Sequence, residues 1–478
     1  MIIKKSVYQM KKTISIIISF IMIMNSFISS NAAFEPSNLS AEEWDNVYLS
    51  LSKENTLPTL NVGADETQVS LCWHSDAQKA VAQVRVADNE EMSNAKIFEG
   101  VKTSSENPEQ VVCRVIIDGL AENSVYYYQW YTDNGWSKAY KYETKSFGDH
   151  KVMVVGDIQI TEVYEDNNFA DQSRVGLYWN NFLAGVLAEN PDISYLISPG
   201  DNTSTGNTDA EWQTFLMPEA LRSLPVALAI GNHDKKGMTY NYFTNMPNEY
   251  YGRFFTGLDR DFWFRYGDVL YLCFDSTSGN APDHMKFAKE AIEKNQDAKW
   301  RIGLIHHGLY GAGDAIGDTE TEVLLTNIFA PIFQIYDIDL VVTGHTHSQG
   351  RSHFMHSGKI KTEAPSGGRF VNPEGIIYLN SNVVSDVYDD DFDAEHLAYK
   401  LVEDEVTTYT TLEFKGDELI LETRRGDNHE ILDSIVIEKT EEHNDNTADK
   451  FFRKLSYKLI EAVGFIYTMV DNLVRKFS

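Results

Sequence analysis

The chain has 478 residues, 42% of them apolar and 23% charged, which leaves room for two or three domains and is ordinary for a soluble globular protein. Its formal net charge is −30 at pH 7, and a surface of that sign repels nucleic-acid phosphates and anionic lipid, so no stable nucleic-acid binding is expected. Three cysteines, Cys72, Cys113 and Cys273, are too few for a disulfide scaffold.

Residues 1–33 run from a basic start (Lys4, Lys5, Lys11, Lys12) through the apolar TISIIISFIMIMNSFI to the small residues SSNAA. That order predicts a secretory signal peptide cleaved near Ala32 or Ala33, with an uncleaved membrane anchor as the alternative. Its removal takes four lysines with it, so the formal charge moves from −30 to −34. A secreted or cell-surface protein is expected, and the lysine-rich start with few cysteines suits a bacterial one. Residues 34–58 are polar and read as a leader. From 59 to 146 the segments TQVSLCWHS, AVAQVRVAD, QVVCRVIIDG and SVYYYQWYT alternate and are rich in Val, Tyr and Trp, which predicts an all-β sandwich. By strand parity Cys72 and Cys113 fall on opposite faces and stay unpaired. The module reads as a spacer or docking unit without chemistry of its own.

After the polar connector ETKSFGDHK the pattern changes. KVMVVGD, SYLISPGD, LPVALAIGNHD, WRIGLIHH and IDLVVTGHTH are apolar runs, each ending in a Gly, His or Asp cluster, with helical patterns between several of them. Apolar strands buried on both faces with helical crossovers predict an α/β layered domain. The strands EGIIYLN, TYTTLEFKGDELILETRR and ILDSIVIEK complete it, giving a catalytic unit over 150–438. In 441–478 an apolar stripe from Phe452 to Phe477 recurs every three or four residues, with six Lys/Arg against two Asp/Glu over 450–478. This predicts an amphipathic C-terminal helix, docked on its own domain, self-associating, or lying on a membrane or cell-wall surface.

Five of the apolar runs end in metal-type ligands: Asp157, with Gln159 two residues on; Asp201; Asn232, with His233 beside it; His306, with His307 beside it; and His345 with His347. The carboxyl ends of strands in an open α/β sheet share one rim, so these donors converge there. Two aspartates, an asparagine and three histidines exceed what one ion takes and suit two ions sharing a carboxylate. Mixed imidazole and carboxylate donors favour Fe, Zn or Mn over Ca or Mg. Such a pair activates a water and clamps both oxygens of an in-line displacement at phosphorus.

The ordered set GD, GD, GNH, HH and GHTH resembles the calcineurin-like metallophosphoesterase superfamily. The preceding TLNVGADETQVSLCWHS and GLAENSVYYYQWYTDNGWSKAYKYET resemble the fibronectin-III-like N-terminal domain of purple acid phosphatases. The resemblance spans roughly residues 59–400. It implies a four-layer α/β/β/α catalytic domain behind an all-β sandwich, and a phosphoester hydrolase acting on phosphorylated small molecules or nucleotides. Monoesters are the first expectation; a phosphodiesterase or nucleotidase with the same centre is the nearest alternative, and a non-catalytic surface-binding protein a more distant one. It implies that Asp157 and His347 hold one ion, that Asn232, His306 and His345 hold the other, and that Asp201 bridges them. His233 is implied to face the phosphate and protonate the leaving oxygen, with Asp234 orienting it. Gln159, His307 and Arg351 are candidates for the metal or its immediate surroundings, His307 either touching substrate or packing behind the ligands. Two positions depart from the family's pattern. Ser204 stands where purple acid phosphatases carry the tyrosine that gives their colour, so no purple colour is expected. Gln159 stands where many members carry a histidine ligand, so it offers a weak carbonyl oxygen or nothing.

Overall fold

The computed structural model describes residue 40 and residues 57–160, 169–251, 260–312, 320–381, 395–401 and 406–440. The expected signal segment, most of the leader and the C-terminal helix at 441–478 lie outside the described residues.

Residues 59–143 are all β. Strands Thr59–Val62, Val69–Asp76, Gln110–Ile117 and Val101–Ser104 form one layer. Strands Lys96–Glu99, Gln83–Ala87, Val125–Thr132, Gly135–Trp136 and Tyr140–Glu143 form the other. Between them lie Leu71, Trp73, Val84, Cys113, Val115, Tyr128 and Trp130. The alternation read in VSLCWHS holds: Trp73 pairs with Cys113 and Cys72 pairs with Arg114, so the two cysteines point to opposite faces. All three cysteines are free and buried.

Two sheets make the larger unit, one of them continuous with the first sandwich layer. In one, His150–Val154, Ile193–Ser198 and Val226–Leu228 are parallel, and the antiparallel strands Thr408–Lys415, Glu418–Arg425 and Ile431–Glu438 extend it. In the other, Val269–Cys273, Trp300–Leu304, Leu340–Thr343 and Ile377–Asn380 are parallel neighbours. Side-chain parity shows how these strands are buried on both faces. Val269, Tyr271 and Cys273 belong to a core shared with Val152, Val154 and Leu196 of the first sheet, and with Trp179 and Trp212 from the helices Phe169–Glu189 and Asp209–Phe215. Leu270 and Leu272 face a second core with Phe287 and Phe333 of the helices Ala281–Lys294 and Glu320–Ile335. A period of two with both parities apolar is why these segments read as unbroken apolar runs. Among the described residues no helix is long and apolar enough to cross a membrane.

The two units are not merely strung together. Thr59–Val62 pairs in parallel with Val226–Leu228 through Asn61 and Val226, so one sheet of eleven strands runs from the sandwich into the larger unit. Tyr128 donates a hydrogen bond to the carbonyl of Arg222 at 2.8 Å, and Ser223 donates one to the carbonyl of Lys141 at 2.6 Å. These contacts dock the sandwich on the larger unit.

Candidate metal centre

The five apolar runs end where parallel strands do. Asp157 follows Val154, Asp201 follows Ser198, Asn232 follows Leu228, His306 follows Leu304 and His345 follows Thr343. Past three of these strands the chain turns sharply. Asp157, Gln159, Asp201, His345 and His347 have φ of 47°, 39°, 51°, 76° and 54°, left-handed values that residues with a Cβ rarely take. Gly200, just before Asp201, takes φ 123° and makes its turn, while Gly231 and Gly344 are needed for room. A Cβ on Gly231 would lie 2.0 Å from Asp201 Oδ1, and one on Gly344 would lie 2.3 Å from Asp157 Oδ2. These glycines make room for the carboxylates of neighbouring strands.

The donors converge. His306 Nε2 lies 3.1 Å from Asp201 Oδ2, 2.9 Å from Asn232 Oδ1 and 3.3 Å from His345 Nδ1. The ligand atoms of Asp201, His306 and His345 are all within 4.8 Å of one another. Asp157 sits beside this group. Both of its carboxylate oxygens accept the N–H of His345, at 3.0 and 2.9 Å, and Oδ1 lies 3.8 Å from His347 Nε2. Asp201 Oδ1 accepts the N–H of His233 at 2.8 Å, which leaves Oδ2 toward the histidines. Gln159 faces Asp201 Oδ2 with its amide nitrogen at 3.4 Å, not with its carbonyl oxygen.

Charge is short of balance there. Burial pushes Asp157 well above the usual carboxylate range, and the Asp201 charge adds to it against the pull of His306. Burial works against Asp201, but His306 and His233 together outweigh it and hold that carboxyl below its ordinary value. His306 is opposed by burial and raised by Asp201 and Asp157, to about 9. Burial and the neighbouring His306 push His345 down to about 3. Buried carboxylates are thus left competing for the charge of one imidazolium. A set of buried oxygens and imidazole nitrogens aimed at one point, and lacking positive charge, fits a transition-metal ion.

The surrounding residues take places the sequence did not give them. Asp234 does not reach the His233 ring. Its carboxylate accepts the N–H groups of Asn202, Thr203 and Gly231 at 3.0–3.1 Å, so it ties two rim loops together; burial and Asp201 push it up to about 6. The ring of His233 is set by a backbone oxygen, the carbonyl of Ser204, 2.5 Å from Nδ1. Lys236 Nζ also lies 3.3 Å from that nitrogen, but the shorter contact requires Nδ1 to carry the proton. His307 packs against the ligands, with its ring 4.6 Å from that of His345. Ser276 Oγ accepts the N–H groups of His306 and His307 and faces His307 Nδ1 at 2.8 Å. The hydroxyl proton therefore goes to Nδ1, and Nε2 of His307 is the protonated nitrogen. Ser276 was missed because FDSTS, which ends its strand at the same rim, carries an aspartate, Asp275, with neither the glycine nor the histidine that marks the other runs directly beside it. Arg351, a candidate for the centre, belongs elsewhere. Its Nε and Nη2 grip Asp433 at 2.5 and 3.0 Å, and its Nη1 donates to the carbonyl of Ala364 at 3.0 Å. It is a buried structural ion pair, and its partner lies 82 residues on. The chain is rich in aromatic residues after GNHD; among them Tyr240, Phe243, Phe262 and Phe264 are core residues, while Tyr251 is 71% exposed.

Ser204 and Gln159, the two departures from the family pattern, touch. Ser204 Oγ donates to the main-chain carbonyl of Gln159 at 3.3 Å, and the Ser204 N–H to that of Ile160 at 3.2 Å.

This is the layered fold and the donor set of a metal-dependent phosphoester hydrolase. The sequence agrees: residues 150–349 match the calcineurin-like phosphoesterase family and residues 57–144 match the purple acid phosphatase N-terminal domain. The chain is a phosphoesterase in which a calcineurin-like phosphoesterase domain follows a purple acid phosphatase N-terminal domain. Among solved structures it is similar to a purple acid phosphatase from yellow lupin (Lupinus luteus) seeds, at 16% identity and a TM-score of 0.64, over 80% of this chain and 74% of that one. A looser likeness is to GAP50, the anchor in the inner membrane complex of Plasmodium, at 12% identity and a TM-score of 0.42, over 64% of this chain and 94% of that one. No curated protein matches the sequence at a significant level.

Proposed function

We propose that this chain is a secreted phosphomonoesterase that works with two metal ions. The observation that carries the reading is the meeting of His306, Asn232, His345 and Asp201 around His306 Nε2, with Asp157 and His347 alongside. Asn232, His306 and His345 would hold one ion, Asp157 and His347 the other, with Asp201 shared. Bound there, such ions supply Lewis acidity to a phosphoryl oxygen and a nucleophile from water at neutral pH. The chain's own residues do the rest. His233, fixed through Nδ1 by the Ser204 carbonyl, keeps Nε2 on the side of the centre, 3.9 Å from Asp201 Oδ2. From there, as the imidazolium with both nitrogens protonated, it contacts a phosphoryl oxygen and passes the Nε2 proton to the leaving oxygen, which leaves the neutral ring with its proton on Nδ1. His307 presents a protonated Nε2 as a second donor toward the substrate.

The domains are read as a signal peptide over 1–33, a sandwich over 59–146 and a four-layer α/β/β/α catalytic domain over 150–438. Secretion rests on the basic, apolar and small-residue order of the first segment. The metals are drawn from Fe, Zn and Mn. With serine at 204 and no tyrosinate, the protein is colourless.

Elemental analysis and turnover test this together. The purified protein is expected to carry about two transition-metal ions per chain, to show no visible absorption band, and to hydrolyse a nitrophenyl phosphate faster than the matching bis ester. One ion per chain would remove the paired centre. Faster diester turnover would make it a phosphodiesterase instead.

A further inference from the structure

Part of the outer face of the sandwich is buried, and most of the residues that cover it are polar. Along Val69–Asp76 the side chains alternate. Leu71 and Trp73 enter the sandwich core. Ser70, Cys72 and His74 point the other way, where a free-standing sandwich meets water, yet they are 3%, 1% and 2% exposed. On the neighbouring strands Asn61 pairs with Ser70 and Arg114 pairs with Cys72, so both share that face.

All of them meet one short segment. Ser70 Oγ donates to the carbonyl of Asn245 at 3.0 Å, Cys72 Sγ to that of Tyr242 at 3.4 Å, and Arg114 Nη2 to that of Asn241. Asn61 Oδ1 accepts the N–H of Asn245 at 3.4 Å. The ring of His74 lies 4.4 Å from that of Phe243. These groups receive the carbonyls at the end of the helix Thr239–Phe243, which an isolated helix end leaves without partners. The helix follows GNHD by a few residues, and its other end is tied to the centre: Thr239 Oγ1 donates to the carbonyl of Gly206 at 2.5 Å, two residues from the Ser204 carbonyl that sets His233.

We propose that this face of the N-terminal sandwich positions His233, with Arg114 and Ser70 as positioning residues that act through the helix Thr239–Phe243. The sandwich is then a working part of the phosphoryl-transfer machinery. This rests on the phosphomonoesterase reading above. Misplacement of a catalytic group by even about 1 Å lowers turnover by up to about a hundredfold, so a brace remote from the chemistry acts on kcat.

The test is a double-mutant cycle in the full-length, metal-loaded protein. Arg114→Ala combined with Ser70→Ala is expected to lower kcat for a phosphate monoester about tenfold, with KM changed less than about twofold. In a His233→Asn background the same pair is expected to lower kcat by less than about twofold, because there is no ring left to misplace. Arg114→Lys, which keeps a donor for the Asn241 carbonyl, recovers part of the loss. An equal loss in both backgrounds overturns the proposal, since a general loosening of the fold does not depend on His233. A second readout needs no turnover: the His233 ring signals of 15N-histidine-labelled protein, assigned by their loss in His233→Asn. They shift in the Arg114→Ala, Ser70→Ala variant if the brace sets the ring, and unchanged signals overturn it. A parent protein that hydrolyses no phosphoester sinks the phosphomonoesterase reading, and the ring signals still decide the brace.

Discussion

Asp201→Ala yields a folded protein that has lost most of its bound metal and hydrolyses a phosphate monoester at least about 10³-fold more slowly than the parent. The residue is 1% exposed, and its Oδ2 lies 3.1 Å from His306 Nε2. It is the carboxylate that both halves of the proposed centre share, so no other donor takes its place. Metal ions contribute several kcal/mol to stabilising phosphoryl-transfer transition states, and each 1.4 kcal/mol is about tenfold in rate; hence the expected factor. Oδ1 also accepts the N–H of His233, so the variant loosens that loop as well. Metal counted per chain and kcat measured on one preparation decide the matter. Parental metal content with turnover within about tenfold of the parent would show that Asp201 does not bridge.

His233→Asn is expected to behave differently, and the contrast separates holding metal from handling the proton. The ring touches the centre only from the side, with Nε2 3.9 Å from Asp201 Oδ2. The variant should keep its metal and lose about 10²–10³-fold in kcat, within the range of a general acid. The loss should also depend on the leaving group. An alkoxide needs a proton as it departs and a nitrophenolate hardly does, so an alkyl phosphate should suffer about tenfold more than nitrophenyl phosphate. Equal losses on both substrates would leave His233 with charge stabilisation and no proton transfer. Loss of metal in this variant would move it among the ligands.

Much of this centre was legible because a polar cluster at the end of a buried apolar run is an unusual thing to write into a sequence. Asp157, Asp201, Asn232, His306, His345 and His347 were read that way, and the structure gathers them at one rim. Several features were not legible, for separate reasons. The orientation of His233 comes from the carbonyl of Ser204, and a carbonyl has no letter of its own. Asp234 sits beside His233 in the chain, yet its carboxylate points to the N–H groups of Asn202, Thr203 and Gly231, because buried N–H groups at two loops need an acceptor more than the ring does. Arg351 follows the GHTH motif closely and invites assignment to it, but its partner Asp433 sits far along the chain in the first sheet. The joining of the two units through Asn61 and Val226 was equally hidden. Pairing between distant strands leaves no periodic trace, and the polar outer face of VSLCWHS looks like any water-facing strand until its neighbour is known.

The left-handed corners at Asp157, Asp201, His345 and His347 bear on why the motif is spelled as it is. Apart from glycine, the residues most at home at such angles are asparagine, aspartate and histidine. Glutamate and cysteine coordinate transition metals just as well, but the corners favour the shorter list. The letters of GD and GHTH therefore record the twist of the main chain as much as the taste of the ion. A designer who kept the coordination chemistry and ignored the corner would choose from the wrong alphabet. Gln159, at φ 39°, is the one member of the set drawn from outside it.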